Sequence, residues 1–153
     1  MKTVILAGGY GTRIRDVADD IPKPMIPIGP YPIIFHIMKL YAKFGHKDFI
    51  VCLGYKGQII KDFFLNYEVF TRDFSIDLGT GKIAYHNDHI EEDWNVTLTD
   101  TGLRSMTGSR ISKIKKYIGN EDFMITYGDG LSNVNIDKLI TFHKSHGKIL
   151  TVT

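Results

Sequence analysis

Thr3-Val4-Ile5-Leu6-Ala7-Gly8-Gly9-Tyr10-Gly11-Thr12-Arg13 is the stretch on which the fold turns. Thr3 to Ala7 reads as a short buried first strand that stops abruptly at Gly8-Gly9-Tyr10-Gly11. Residues without Cβ let backbone N–H groups close on phosphate oxygens, as in anion-binding nests. Arg13 follows as a permanent planar cation suited to a polyphosphate. Lys23, fixed between Pro22 and Pro24, is a second cation on a stiffened loop. A strand, a glycine turn and two placed cations point to nucleotide chemistry. The plainer alternative is a tight turn after the strand, since glycine is a common turn residue.

Two commoner glycine motifs fail. The dinucleotide fingerprint G-x-G-x-x-G needs a glycine where Ile14 stands after Gly9-Tyr10-Gly11-Thr12-Arg13. The phosphate-loop pattern G-x-x-x-x-G-K-[ST] fails at Gly81-Lys82, which is followed by Ile83 and preceded by Ile76 at the place of the first glycine.

Outward from the first loop, a proline-rich stretch runs from Pro22 to Pro32. Ile33, Ile34, Ile37, Leu40, Tyr41 and Phe44 then keep helical spacing, and Gly45 ends the run. Phe49 to Leu53 reads as a second buried strand. Ile59, Ile60, Phe63, Phe64 and Tyr67 give one face of a second helix. Between Phe70 and Asp100 the apolar residues alternate (Phe74-Ser75-Ile76-Asp77-Leu78, Val96-Thr97-Leu98), with turns at Gly79-Thr80-Gly81 and Asn87-Asp88. This middle part predicts short strands in an insertion or antiparallel edge. Ser105 to Tyr117 predicts a helix through Ile111, Ile114 and Ile118, with Lys113, Lys115 and Lys116 on a solvated face. Asp122 to Tyr127 predicts a strand ending at Gly128-Asp129-Gly130. Ile136, Leu139, Ile140 and His143 form a helical face with Asn135 as N-cap and Gly147 as C-cap. Ile149 to Thr153 reads as a last strand, cut off at its end. Strands alternating with helices make a mostly parallel, helix-covered sheet: an α/β fold of three layers, Rossmann-like, with a short antiparallel insertion.

The 153 residues are long enough for one core and one domain. Nineteen basic against 17 acidic residues, with no basic run, disfavour a nucleic-acid partner and suit a local anionic ligand. Apolar stretches fall far short of a membrane span, and the N-terminus lacks a signal peptide's apolar region. Cys52 is the only cysteine, so no intrachain disulfide forms, which suits a reducing cytoplasm. It reads as a buried small hydrophobe rather than a catalytic thiol.

Ligands of open α/β sheets sit beyond the carboxyl ends of the strands, so Gly8 to Arg13 and Gly128-Asp129-Gly130 are expected at one crevice. A carboxylate flanked by glycines suits Mg²⁺ beside phosphates. The alternative is a turn aspartate bonding its own backbone.

Leu6-Ala7-Gly8-Gly9-x-Gly11-Thr12-Arg13, Pro22-Lys23-Pro24-Met25 and Tyr127-Gly128-Asp129-Gly130 resemble the sugar-1-phosphate nucleotidyltransferases. Further stretches resemble their glucose-1-phosphate cytidylyltransferase branch: His36-Ile37-Met38-Lys39, Gly54-Tyr55-Lys56-Gly57, Asp100-Thr101-Gly102, Met106-Thr107-Gly108-Ser109-Arg110 and Val134-Asn135-Ile136. The resemblance covers residues 1–153. It implies nucleotide binding by Leu6, Ala7, Gly8, Gly9, Tyr10, Gly11, Thr12, Arg13 and Lys23, with Ser105 and Arg110 at further contact positions. It also implies Asp129 as one of two metal carboxylates for Mg²⁺, and Arg13, Lys23 and Asp129 as the catalytic set. The implied reaction joins CTP and α-D-glucose 1-phosphate into CDP-glucose and pyrophosphate, in a cytoplasmic pathway feeding surface polysaccharide such as O-antigen. A homo-oligomer is implied as well, and an open edge after Thr153 would favour association.

Pro30-Tyr31-Pro32 stands where the family has Gly-Lys-Pro, and Ser109 where glycine is common. Family members continue beyond the point where this sequence stops, so residues 1–153 are expected to be the nucleotide-binding part of a domain shortened on its C-terminal side. The same chemistry with UTP or dTTP, or a non-catalytic nucleotide-binding module, are the alternatives. A redox dinucleotide enzyme is disfavoured by the missing third glycine. His86 with His89, and His143 with His146, lack the cysteine or acidic partners of a zinc site. His36 reads as packed or capped, and Trp94 as core or interface.

Overall fold

The structure, a computed structural model, describes residues 1–10, 20–86 and 93–153. β1 (Lys2–Ala7) leads to a single 3-10 turn at Lys23–Met25, which buries Pro24. A two-residue antiparallel pair, β2 (Pro27–Ile28) with β3 (Tyr31–Pro32), feeds α1 (Ile33–Lys43). Ile34, Ile37, Met38 and Tyr41 of α1 are buried at helical spacing, and Gly45 at φ 80° ends the helix as expected. β4 (Asp48–Leu53) follows, then α2 (Gly57–Leu65) and the short α3 (Tyr67–Thr71).

Among the described residues the main sheet has strand order β7-β4-β1-β8, with β7 (Asn95–Asp100) and β8 (Phe123–Tyr127) at its edges. Its three pairings are all parallel, in the registers Ile5↔Val51, Ile5↔Thr126 and Val51↔Leu98. Side chains alternate between faces along each strand. Ile5, Ala7, Phe49, Val51 and Leu53 therefore meet Ile34, Ile37, Met38 and Tyr41 of α1, Ile60 of α2 and Ile136 of α6 (Ile136–His146). Val4, Ile50 and Cys52 point the other way, to Ile114 and Ile118. Helix, sheet and helix make the three layers that the sequence predicts.

The middle segment divides in two. β5 (Asp73–Ile76) and β6 (Ile83–His86) form the expected antiparallel hairpin. Val96-Thr97-Leu98, read from its alternation as part of the same insertion, belongs to β7 and pairs in parallel with β4. An edge strand is covered on one face, so it alternates like an insertion strand, and local pattern does not separate the two. The Asn87-Asp88 turn and His89 lie outside the described residues.

Two further expectations are corrected. The helix read over Ser105 to Tyr117 is two short helices, α4 (Thr107–Lys113) and α5 (Lys115–Ile118), broken at Ile114. Ile114 donates its N–H to Ile111 in a tightened turn and is itself fully buried. The break lets both Ile114 and Ile118 reach the face carrying Val4, Ile50 and Cys52. The strand read over Ile149 to Thr153 is not formed: Ile149 is fully exposed and no ladder partner is present among the described residues. Alternation sets which face a strand buries, but a strand also needs a partner for its N–H and C=O groups.

Asn135 caps α6 by accepting from the Lys138 N–H at 3.0 Å, and Gly147 at φ 63° ends it. Trp94 packs on Phe35 and Phe49 at 5.2 and 5.5 Å between ring centroids, as a core residue. His36 holds the Ile28 carbonyl at 2.8 Å, a structural role.

Candidate active site

The carboxyl ends of β1, β4, β7 and β8 lie at one end of the sheet, and a cleft of about 390 Å³ opens there. Leu6, Ala7, Gly8 and Gly9 form one wall, Lys23 and Pro24 a second, Tyr127 and Asp129 a third, and Ser105, Met106, Thr107 and Arg110 a fourth. A second, shallower hollow of about 520 Å³ lies over Ser112, Lys113, Lys115 and Lys116.

Lys23 and Asp129, far apart in sequence, meet as an ion pair at 3.7 Å. Glycine makes that meeting possible. Gly128 donates its N–H to the Leu6 carbonyl at 2.9 Å. A Cβ at Gly128 would stand 3.1 Å from that same oxygen and 3.1 Å from Pro24 Cγ. The turn carrying Asp129 can thus lie against β1 and the proline-framed loop that carries Lys23. Its carboxylate stays accessible, with 43% of the side chain exposed.

The first loop is divided by burial. Gly8 is buried and Gly9 is exposed, and among the described residues nothing lies within 4 Å of a Cβ built on it. Gly9 therefore offers the open backbone that an anionic ligand could approach. Tyr10 is largely exposed, with its ring 5.4 Å from that of Tyr55. Gly11, Thr12 and Arg13 lie outside the described residues.

Arg110 is only 6% exposed and holds the strand ends together. Its Nη1 donates to the Leu53 carbonyl at 3.0 Å and to Thr101 Oγ1 at 2.6 Å, and its Nη2 donates to the Gly8 carbonyl at 2.9 Å. Fully buried Thr101 donates its own hydroxyl to the Leu53 carbonyl at 2.7 Å. One guanidinium thus ties the chain just beyond β1 to the end of β4 and the start of the 101–105 turn. A guanidinium has five N–H groups, so some remain for the cleft that Arg110 lines. The backbones beneath are close: a Cβ on Gly54 would stand 2.6 Å from the Gly8 carbonyl oxygen.

Ser105 is half-buried and donates its hydroxyl to the Thr101 carbonyl at 2.5 Å. Lys113 is exposed, as the solvated-face reading has it, and its amine also donates to the Thr101 carbonyl at 2.7 Å and to Ser105 Oγ at 2.9 Å. Gly102 at φ 92° leaves the room; a Cβ there would press on both Lys113 Nζ and Ser105 Oγ at 3.1 Å. Thr101, Gly54 and Lys113 are the residues whose role sequence reading missed. The signals available were the Asp100-Thr101-Gly102 motif and a glycine directly after β4.

Beneath the cleft, burial pushes the Cys52 thiol up to about 11, with the Arg110 charge pulling weakly the other way. The protonated, buried thiol fits a packing role. His143 and His146 both approach Thr151 Oγ1 at 2.8 Å, and His86 approaches Ser75 Oγ at 2.8 Å. No group of three or more His, Cys, Asp or Glu able to hold a metal occurs among the described residues. No helix among them is long and apolar enough to cross a membrane.

The profile of the Nucleotidyl transferase family matches residues 2–153. The chain is 47% identical, over its whole length, to glucose-1-phosphate cytidylyltransferase of Salmonella typhimurium, of which it covers 60%. It is 32% identical over 91% of its length to D-glycero-alpha-D-manno-heptose 1-phosphate guanylyltransferase of Campylobacter jejuni, covering 52% of that protein. Among solved structures, HddC from Yersinia pseudotuberculosis complexed with GMP-PN superposes with a TM-score of 0.68 at 26% identity, over 93% of this chain and 53% of that one. UDP-glucose pyrophosphorylase complexed with UDP-glucose, at 22% identity and a TM-score of 0.67 over 95% of this chain and 53% of that one, shares the fold. A parallel sheet whose strand ends gather a glycine loop, a proline-framed lysine and a glycine-flanked aspartate, with the profile matched almost end to end, places this chain in the nucleotidyl transferase family.

Proposed function

We propose that the protein carrying this chain transfers a cytidylyl group from CTP to α-D-glucose 1-phosphate, forming CDP-glucose and pyrophosphate. The observation that carries nucleotidyl transfer is the Lys23–Asp129 pair facing the glycine loop across one cleft. The choice of CTP and glucose 1-phosphate is supported by the 47% identity to a glucose-1-phosphate cytidylyltransferase, of which the chain spans 60%.

The chemistry follows from charge. A phosphate oxygen of the sugar phosphate attacks the α-phosphorus in line; a new P–O bond forms, the α–β bridging P–O bond breaks, and pyrophosphate departs with that electron pair. The nucleophile is already anionic, so positioning and charge neutralisation replace a general base. The open backbone at Gly9 receives phosphate oxygens, Lys23 offsets charge near the α-phosphate, and Arg13 offsets it on the leaving group. Asp129 suits Mg²⁺: its carboxylate is accessible and flanked by glycines, and Mg²⁺ is commonly held by one or two carboxylates together with water and substrate phosphates. When bound, the ion neutralises charge developing on phosphate oxygens. A homo-oligomer in a cytoplasmic pathway toward surface polysaccharide belongs to the same proposal.

The test is pyrophosphate release from CTP, UTP and dTTP with glucose 1-phosphate and Mg²⁺, beside an Asp129→Ala control. CTP-selective release that vanishes in the control supports the reading. Release selective for UTP or dTTP overturns the choice of nucleotide. Retained CTP binding without release from any nucleotide would leave a nucleotide-binding module.

A further inference from the structure

We propose that Lys113 is a positioning residue for nucleotide choice: it holds the Ser105 hydroxyl so that only an acceptor faces the cleft, which favours cytosine over uracil and thymine. The inference rests on the proposed use of CTP and extends it to a residue that is not among those lining the cleft.

Hydrogen-bond capacity supplies the first step. A lysine ammonium only donates and a carbonyl only accepts. Ser105 Oγ therefore accepts from Lys113 at 2.9 Å and gives its one hydrogen to the Thr101 carbonyl at 2.5 Å. What remains toward the cleft is a lone pair. Lys113 also grips the Thr101 carbonyl at 2.7 Å, closing a three-membered ring of bonds around the 101–105 turn. Gly102 at φ 92° is the residue whose missing Cβ makes space for that ring.

The second step is the neighbour. Arg110 is anchored to the same Thr101, through Oγ1 at 2.6 Å, and can only donate. Ser105 and Arg110 thus set an acceptor beside a donor on one cleft wall. Cytosine presents the exocyclic N4 donor next to the N3 acceptor, whereas uracil and thymine present O4 as acceptor next to N3–H as donor. The wall matches cytosine at both positions and opposes the 4-oxo pyrimidines at both. Without Lys113, Ser105 regains rotational freedom and its hydroxyl can turn to donate to O4.

The experiment is calorimetric titration of CTP and of UTP into the protein with Mg²⁺, for wild type, Lys113→Met, Lys113→Arg and Ser105→Ala. Wild type should favour CTP by about ten- to a hundredfold, the range expected for matched against opposed base edges. Lys113→Met should cut that preference by about tenfold, chiefly through tighter UTP binding, which loss of fold does not produce. Lys113→Arg should restore most of it, and Ser105→Ala should weaken CTP more than UTP. Lys113→Met that retains the wild-type preference, or weakens both nucleotides equally, overturns the role of Lys113 and leaves the CTP reading standing. A wild type without preference for CTP overturns both.

Discussion

Gly54→Ala tests whether the site rests on the close approach of two backbones. An added Cβ would lie 2.6 Å from the Gly8 carbonyl oxygen, 2.9 Å from Gly8 Cα and 2.8 Å from Arg110 Nη1. The carbon–carbon approach by itself falls roughly 0.6–1.1 Å inside the ordinary separation of about 3.5–4.0 Å. Two of the three atoms are backbone, so the loops after β1 and β4 must part. Parting them stretches the Tyr55 N–H bond to Gly8, already 3.3 Å, and the Arg110 bond to the same oxygen at 2.9 Å. Overpacking costs about 1–3 kcal/mol, and the stretched charge-assisted hydrogen bond gives up only part of its about 1.5–3 kcal/mol, so a combined loss of about 2–4 kcal/mol is expected. For a chain of this size that lowers Tm by about 5–15 °C. The internal control is Gly9→Ala, where the new Cβ meets nothing within 4 Å among the described residues. It should leave Tm within about 2 °C of wild type, because surface substitutions away from special features stay within about 0.5 kcal/mol, yet it should weaken CTP binding by filling the open backbone. Thermal unfolding followed by circular dichroism reads both melting temperatures. A Gly54→Ala protein that melts with wild type, or a Gly9→Ala protein that falls as far, would refute the reasoning.

Asp129→Asn should change stability by less than about 1 kcal/mol, because a 3.7 Å ion pair with one side chain 43% exposed is largely screened. Pyrophosphate release should drop at least about a hundredfold, the scale for removing one electrostatic stabiliser; a large loss in urea melts with activity retained would make the pair structural. Burial raises the Cys52 thiol to about 11, so a thiol reagent at neutral pH should label it only as fast as the protein opens. Labelling at the free-cysteine rate would place Cys52 outside the core. Burial and the charge of the N-terminus hold His46 below its ordinary 6.5, against opposing effects of Asp137 and a Met1 backbone hydrogen bond. The folded state thus prefers the neutral ring, so its contribution is complete above the unfolded value and is lost as pH falls from 6.5 through the folded value. Urea midpoints compared across that window should show a drop that His46→Gln flattens, and an unchanged slope in the variant would assign it elsewhere.

The strand, the two main helices and the glycine turn were legible because each is decided locally. Ile34, Ile37, Met38 and Tyr41 keep the helical period, and Gly45 and Gly147 stand where the backbone turns left-handed. Lys23 and Asp129 were readable as charged groups at breaks in the pattern, and the cleft brings them together. β7 was not legible as part of the main sheet, because its one-sided alternation is that of any edge strand and only its partner β4 decides. The final residues failed for the complementary reason: Ile149-Leu150-Thr151-Val152 carry strand composition without a partner among the described residues. Nothing local marks the bonds of Arg110, read by resemblance as a nucleotide contact, or of Lys113, read as solvated and exposed in the structure: both reach carbonyls that other segments deliver.

By itself, then, the sequence determined the glycine break after β1, the proline-framed lysine and the apolar faces of β1, β4 and α1, since glycine's missing Cβ, proline's ring and apolar period are properties of neighbours along the chain. Only the tertiary structure decided that Arg110 ties together Gly8, Leu53 and Thr101, that Lys113 fixes Ser105, and that Gly128 lets Asp129 reach Lys23. Those bonds join residues up to 106 positions apart, as in the Lys23–Asp129 pair. Their geometry is set by strand register and close backbone packing, which no local pattern encodes.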